Sequence, residues 1–289
     1  HCIHRGNASD DILGMSLEER QELQRQAIEE DDGAWEKELD ARNKAKAGIN
    51  EETIKMDWLK GKTKQGQINY LGSKSRWALV ESGVITDDAG LSQLYQTTKI
   101  STGKKITTRK TLKSLKKDGI ITVSRYKDSS GKLKDPYKHS TEGDFSATKN
   151  PKKPAGGKNG GNMTGGGHSQ SNIKRLDDKG IAYSVTKTYK NGVRIGGVEN
   201  HTTPNKRLSQ SGQAWFPASW TDDDVLVAGT YVANKPEVTI TKYGSSDTVV
   251  GYEKYGRYNG VTVGVYVDTE NNVGTIFPDA QQRKVGDIK

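Results

Sequence analysis

A single cysteine, Cys2, is all the thiol that the 289 residues contain. One cysteine cannot close an intramolecular disulfide and offers no cysteine-based metal site. Core-forming residues are also scarce, with three Phe, three Met, an apolar fraction of 31% and a mean hydropathy of −0.84. A single compact globule of this length usually carries more apolar material, so part of the chain is expected to be extended or disordered. No stretch approaches the roughly 18 apolar residues of a membrane span, and none is expected. The N-terminus lacks the basic-then-apolar layout of a signal peptide, and it begins with His1 rather than Met. It therefore reads as a piece of a longer chain, with any targeting information upstream.

What is abundant is charge, and it is unevenly spread. The net charge of +9 divides into −5 over residues 1–49, +9 over 50–135 and +5 over 136–289. An acidic front followed by basic segments suits a polyanionic partner such as nucleic acid, although a solvated Lys-rich surface accounts for charge alone equally well. The first segment reads as an acidic helical arm, with Ser16 and Glu19 as a capping box opening a helix over 16–47. The second reads as a small basic helical domain. Its clearest helix spans Thr108 to Lys117, followed by a strand-like run from Ile120 to Tyr126 and a hairpin turn at Asp128–Gly131. A basic helix before a hairpin is also the layout of a winged-helix DNA reader, the main alternative reading of this chain.

Residues 136–289 read as an α+β domain with antiparallel sheets. Runs at 181–189, 193–195, 238–243, 249–258, 261–267 and 273–277 are β-branched or aromatic, separated by turn pairs such as Asn259-Gly260. One helix, capped by Thr221 or Asp222, interrupts them. The consecutive acids Asp222 to Asp224 suit that helix's N-terminal dipole better than a metal. Core packing is expected of Trp215, Phe216 and Trp220 ahead of base stacking. Between the first two blocks of this domain, residues 146–167 are too rich in Gly and Pro for a helix or central strand and read as a loop.

Histidine is rare, with five in all, and two of them flank that loop: His139 in His139-Ser-Thr-Glu-Gly-Asp144 and His168 in Gly165-Gly-Gly-His-Ser169. Two imidazoles can trade protons near neutral pH, one accepting and one donating, which is what metal-independent cleavage of an RNA phosphodiester requires. Gly166 and Gly167 permit close approach of a large ligand, so with Ser169 they are candidate substrate-binding residues. The glycines can equally serve as a flexible span beside His139, a phosphate nest or surface filler.

These blocks carry a resemblance. The segment 136–289 resembles the bacterial EndoU nucleases, the C-terminal RNase domains of polymorphic and contact-dependent inhibition toxins. The two histidine blocks, Asn191–Gly196 with Asn200-His201, Gln213–Trp220 with Ala228–Val232, and Thr275-Ile-Phe-Pro278 occur in the family's order. The resemblance implies an endoribonuclease in which a 2′-hydroxyl attacks the adjacent phosphorus and leaves a 2′,3′-cyclic phosphate. His139, His168 and Thr275 are then the catalytic residues, without a cofactor or metal. It also implies RNA as partner, with tRNA a candidate, a cognate immunity protein, and delivery from a bacterium or phage into a target-cell cytoplasm. Leu71–Arg76 and Ser82–Thr86 resemble the tail of phage minor head (Mu F-like) proteins, which leaves a phage structural or delivery protein with a non-catalytic β domain as a further alternative.

Two positions depart from the animal and viral EndoU pattern. Where those enzymes carry a catalytic lysine the nearest match is Gln213, and where they carry a tyrosine this chain has Phe277. Glutamine cannot supply a cation, so Lys206, Arg207 or His201 is expected to assist. His201 lies in a polar Asn-His-Thr-Thr loop and is expected to be exposed. Phe277 can stack on a base but cannot donate a hydrogen bond.

Overall fold

The computed structural model describes residues 70–85, 90, 93–99, 101–103, 105–146 and 161–289. The acidic helix expected over 16–47 and most of the Gly/Pro segment lie outside them. The chain divides into two compact units, at Thr122/Val123.

In the first unit, helix α1 (Tyr70–Glu81) is followed by an antiparallel pair, β1 (Tyr95–Lys99) and β2 (Lys105–Arg109), and then by the short helix α2 (Leu112–Lys117). Leu79, Val80, Ile85, Leu94 and Leu115 form its small core. The helix expected from Thr108 starts later, because Thr108 and Arg109 are β2 residues and Thr111 caps α2 by accepting the Ser114 N–H. The strand expected over Ile120–Tyr126 shrinks to its last residue. Ile121 and Val123 are buried, so their apolar character reflects packing.

The second unit opens with a ribbon, β3 (Tyr126–Lys127) and β4 (Leu133–Lys134), whose turn is held by Asp128 Oδ1 accepting the N–H groups of Ser130 and Lys132. On sequence this ribbon ends the basic domain; its contacts group it with the C-terminal unit. It leads directly into helix α3 (Pro136–Thr141), which Asp135 caps and Pro136 starts. Strands β5 (Asp144–Phe145) and β6 (Met163–Gly165) pair across the Gly/Pro segment, so the end of the expected loop is a strand. Helix α4 (Gln170–Lys179), which no periodicity announced, turns its two large apolar residues Ile173 and Leu176 onto Met163, Ile181, Val198 and Trp215. It ends on Gly180 in the left-handed conformation (φ 63°).

Strands β7 (Tyr183–Thr188), β8 (Arg194–Val198) and β9 (Gln213–Trp215) form one antiparallel sheet. Helix α5 (Asp222–Asn234) then precedes the four-stranded meander β10 (Val238–Tyr243), β11 (Val249–Tyr258), β12 (Val261–Asp268) and β13 (Val273–Pro278). The α5 cap is Thr221 in a full capping box with Asp224. Asn259 and Gly260 both have positive φ (46° and 76°), as the tight β11–β12 turn requires. Val261, Val263, Val265 and Val267, alternate residues of β12, are all buried on the face that α5 covers, while Tyr255, Phe277, Val285 and Ile288 lie on the other. The C-terminal region is thus α+β with antiparallel sheets, preceded by helical elements, as expected.

Candidate active site

The last carbonyls of α3, like those of any helix, have no partners within it, and the way they are satisfied assembles the site. The His139 carbonyl accepts the Gly167 N–H at 2.8 Å, the Ser140 carbonyl accepts the His168 N–H at 2.6 Å, and the Thr141 carbonyl accepts the Ser169 N–H at 3.3 Å. The two histidine blocks are therefore laid side by side by backbone bonds. Gly165 to Gly167 sit against the His139 ring and backbone. A Cβ on Gly166 would lie 3.0 Å from His139 Cε1 and overlap the His139 carbonyl, and one on Gly167 would collide with Asn172. Both residues have positive φ, 63° and 68°. Gly165 to Gly167 are packed in place, while residues 147–160 of the expected span lie outside the described residues.

Gln213 locks the same segment from beneath. It is fully buried, and its Nε2 donates to the carbonyls of Gly167 at 2.7 Å and Gly166 at 3.1 Å. It is a scaffold residue, not a stand-in for a lysine facing substrate. Ser169 is likewise buried. Its hydroxyl donates toward the Thr141 carbonyl at 3.0 Å and Asp222 Oδ1 at 2.6 Å, while Asp222 Oδ2 accepts from Ser171. Gly166, Gly167 and Ser169 thus build the back of the site instead of offering free groups to a ligand. Asn172 adds a keystone: its Nδ2 donates to the Glu142 carbonyl and its Oδ1 accepts the Trp215 indole N–H.

The two rings have opposite surroundings. His139 Nδ1 lies 2.7 Å from Asp144 Oδ2, near the surface, and the hydrogen bond from His139 holds the Asp144 carboxyl below its ordinary value. His168 is buried, and its Nδ1 lies 2.7 Å from the Ala214 carbonyl oxygen. A carbonyl only accepts, so Nδ1 carries the hydrogen and Nε2 keeps a lone pair in the neutral ring. Burial, then the nearby charge of Lys206, push the His168 pKa well below 6.5; the charge of His139 acts on it as well.

Strand β13 closes the other side. Ser140 Oγ accepts the Ile276 N–H at 2.8 Å while donating to the Pro136 carbonyl, which holds β13 beside α3. Thr275 and Phe277 flank that anchor. The Phe277 ring lies 6.3 Å from His168 and edge-on to Tyr255 at 6.0 Å, over Gly264, where any side chain would strike it. Thr275 Oγ1 is buried without a hydrogen-bond partner among the described residues.

The 200–207 loop brings the remaining candidates. Lys206, at the end of a 3-10 turn (Pro204–Lys206), is half-buried, its ammonium held below the ordinary lysine value by burial. Among the described residues no carboxylate pairs with it. Arg207 donates its Nε to the His201 carbonyl and so pins the loop. His201 overturns the expectation of exposure: it is fully buried, its Nδ1 accepts the Thr203 N–H at 2.9 Å, and its Nε2 is unpartnered. Burial, then Lys206 and Arg207, lower its pKa to about 4. Trp215 and Phe216 are core, as expected, while half-buried Trp220 stacks on Phe216 at 5.1 Å. Among the described residues no group of three or more His, Cys, Asp or Glu could hold a metal ion, and no helix is long and apolar enough to cross a membrane.

The sequence profile of the bacterial EndoU nucleases matches residues 135–280, from the α3 cap to just past β13. The chain belongs to the bacterial EndoU nuclease family. The match takes in both EndoU histidine blocks, Thr275 and the Lys206 loop, and it stops short of residues 71–86, where nothing supports the phage minor head resemblance. No curated protein and no solved structure matches the chain. Sequence reasoning missed Asp144 as the partner of His139 although it stands in the same block, and it missed Asn172, for which no signal exists short of the fold.

Proposed function

We propose that this EndoU nuclease is an endoribonuclease that needs no metal and cleaves by attack of a 2′-hydroxyl on the adjacent phosphorus. The observation that carries the reading is the pair of unlike histidines joined by the α3 carbonyls. His168 Nε2 is the base, since its ring is kept neutral and its Nδ1 hydrogen is held by Ala214. His139 is assigned the acid: the Asp144 carboxylate holds its ring at Nδ1, which leaves Nε2 to hand a proton to the leaving oxygen. The 2′-oxygen gives its proton to His168 and bonds to phosphorus, the P–O5′ bond breaks, and O5′ takes the proton from His139. The products are a 2′,3′-cyclic phosphate and a 5′-hydroxyl, and proton exchange with water resets both rings. Lys206 supplies the cation beside the phosphoryl oxygens, and the unpartnered Thr275 hydroxyl bonds a phosphate oxygen or the base.

DNA, which lacks the nucleophile, is inert on this reading. The reading extends, on the resemblance of the blocks alone, to a toxin delivered to another cell, with RNA such as tRNA as target and a cognate protein that neutralises it in the cell that makes it. The test is incubation of the full chain with RNA in EDTA, beside His139→Ala and His168→Ala variants. Each substitution should lower cleavage by ~10²–10⁴-fold; cleavage equal in wild type and variants, or lost on adding EDTA, sinks the reading. The winged-helix alternative has less support, because the hairpin that would serve as wing for α2 groups with the other compact unit.

A further inference from the structure

The β3–β4 ribbon belongs to the same compact unit as the candidate active site, yet it precedes the residues that match the EndoU profile. Its placement relative to that site is fixed covalently and by ion pairing. Strand β4 ends at Lys134, the next residue caps α3, and His139 follows within one turn, its N–H bonded to the Asp135 carbonyl at 2.9 Å. Arg125 Nε donates to Asp135 Oδ2 at 3.0 Å, which ties the start of the ribbon to the same cap.

The ribbon has two unlike faces. Tyr126 pairs with Lys134, both half-buried, and Lys127 pairs with Leu133, both exposed. Lys132 stands exposed just ahead of β4, its carbonyl accepting the Asp128 N–H at 3.0 Å. The charges of Lys134 and Lys132 act on Asp144, the partner of His139, and Tyr126 feels Asp268 and Tyr266, the latter paired in register with Thr275. The inward face therefore reaches from the His139 side of the site toward the Thr275 side. Lys134 has only a 3.4 Å contact with half-buried Asp128, which a phosphate can displace, and Lys132 forms no ion pair among the described residues.

We infer that the β3–β4 ribbon is a substrate-binding extension of the active site, in which Lys132 and Lys134 hold a backbone phosphate of RNA adjacent to the scissile one. This inference rests on the nuclease reading, and it assigns to residues outside the family match a preference for long RNA over the smallest substrate.

The experiment compares a dinucleotide with a long single-stranded RNA, cleaved by the full chain and by Lys132→Gln/Lys134→Gln. The loss of kcat/KM on the long RNA should exceed that on the dinucleotide by about 10-fold, and the salt dependence on the long RNA should flatten by roughly 1.4 in log–log slope, ~0.7 for each lysine–phosphate contact. Lys132→Arg/Lys134→Arg should restore both, and Lys127→Gln on the outward face should do neither. Equal losses on the two substrates, or an unaltered salt slope, would overturn the ribbon's role while leaving the nuclease reading standing. Cleavage of neither substrate by the wild-type chain removes the nuclease reading and this inference with it.

Discussion

Replacing Gly166 by alanine adds one methyl group where the two histidine blocks touch. The new Cβ would lie 2.8 Å from the His139 carbonyl carbon and 3.0 Å from Cε1, where ordinary contact begins at 3.4 Å, and closer still to the carbonyl oxygen. That carbonyl cannot retreat alone, because it accepts the Gly167 N–H and belongs to the helix that Ser140 ties to β13. The left-handed backbone at φ 63° adds about 1 kcal/mol for any residue with a Cβ. Relief needs a displacement on the order of 1 Å between His139 and His168, and a misplacement of that size costs about 10²-fold in rate. The assay is kcat on a fluorogenic RNA beside thermal unfolding. The expected result is a fall of about two orders of magnitude in kcat with a folded protein. Activity within a factor of about three of wild type, with unchanged stability, would refute the idea that the glycines set the distance between the rings.

Three further outcomes follow from the same geometry. Gln213→Lys should not improve the enzyme: it buries a charge in a fully enclosed site, replaces the amide fitted to two glycine carbonyls by a longer side chain, and should cost about 3–5 kcal/mol in denaturant unfolding. Lys206→Met should instead lower kcat by ~10²–10³-fold with little change in stability, as for loss of a group that stabilises developing charge. For pH, His168 accepts a proton only when neutral and its pKa is lowered, so the acid limb of the rate profile should fall below the ordinary histidine range near 6.5; a limb at or above it contradicts the base assignment. His201, with a folded value of about 4 against 6.5, is protonated more readily unfolded than folded, so stability drops as pH falls between those values, by up to about 3 kcal/mol. His201→Gln should flatten that part of a melting-temperature profile.

How far the sequence reaches depends on the range of the interaction that decides each residue. The meander β10 to β13 was readable almost residue by residue, because β-branched runs and the Asn259-Gly260 turn are local signals. The start of helix α5 was readable for the same reason, narrowed to Thr221 or Asp222 as its cap; the structure decides for Thr221. Helix α4 was not, since Ile173 and Leu176 are its only large apolar residues and its stability comes from the surface it covers. The error at His201 has a plain cause: a polar side chain in a polar stretch looks exposed until its surroundings in the fold are known. Glycines 165–167 looked permissive, yet what demands them is the close approach of His139, a contact across the Gly/Pro segment.

The central claim is that the two rings move protons for an RNA 2′-hydroxyl, and the most direct measurement is the chemical identity of the new ends. Mass spectrometry of an RNA oligonucleotide cleaved by the full chain in EDTA should find a 2′,3′-cyclic phosphate and a 5′-hydroxyl, and a 2′-deoxy substitution at the cleaved nucleotide should abolish cutting there. A 5′-phosphate product, or cutting that survives the deoxy substitution, would contradict it.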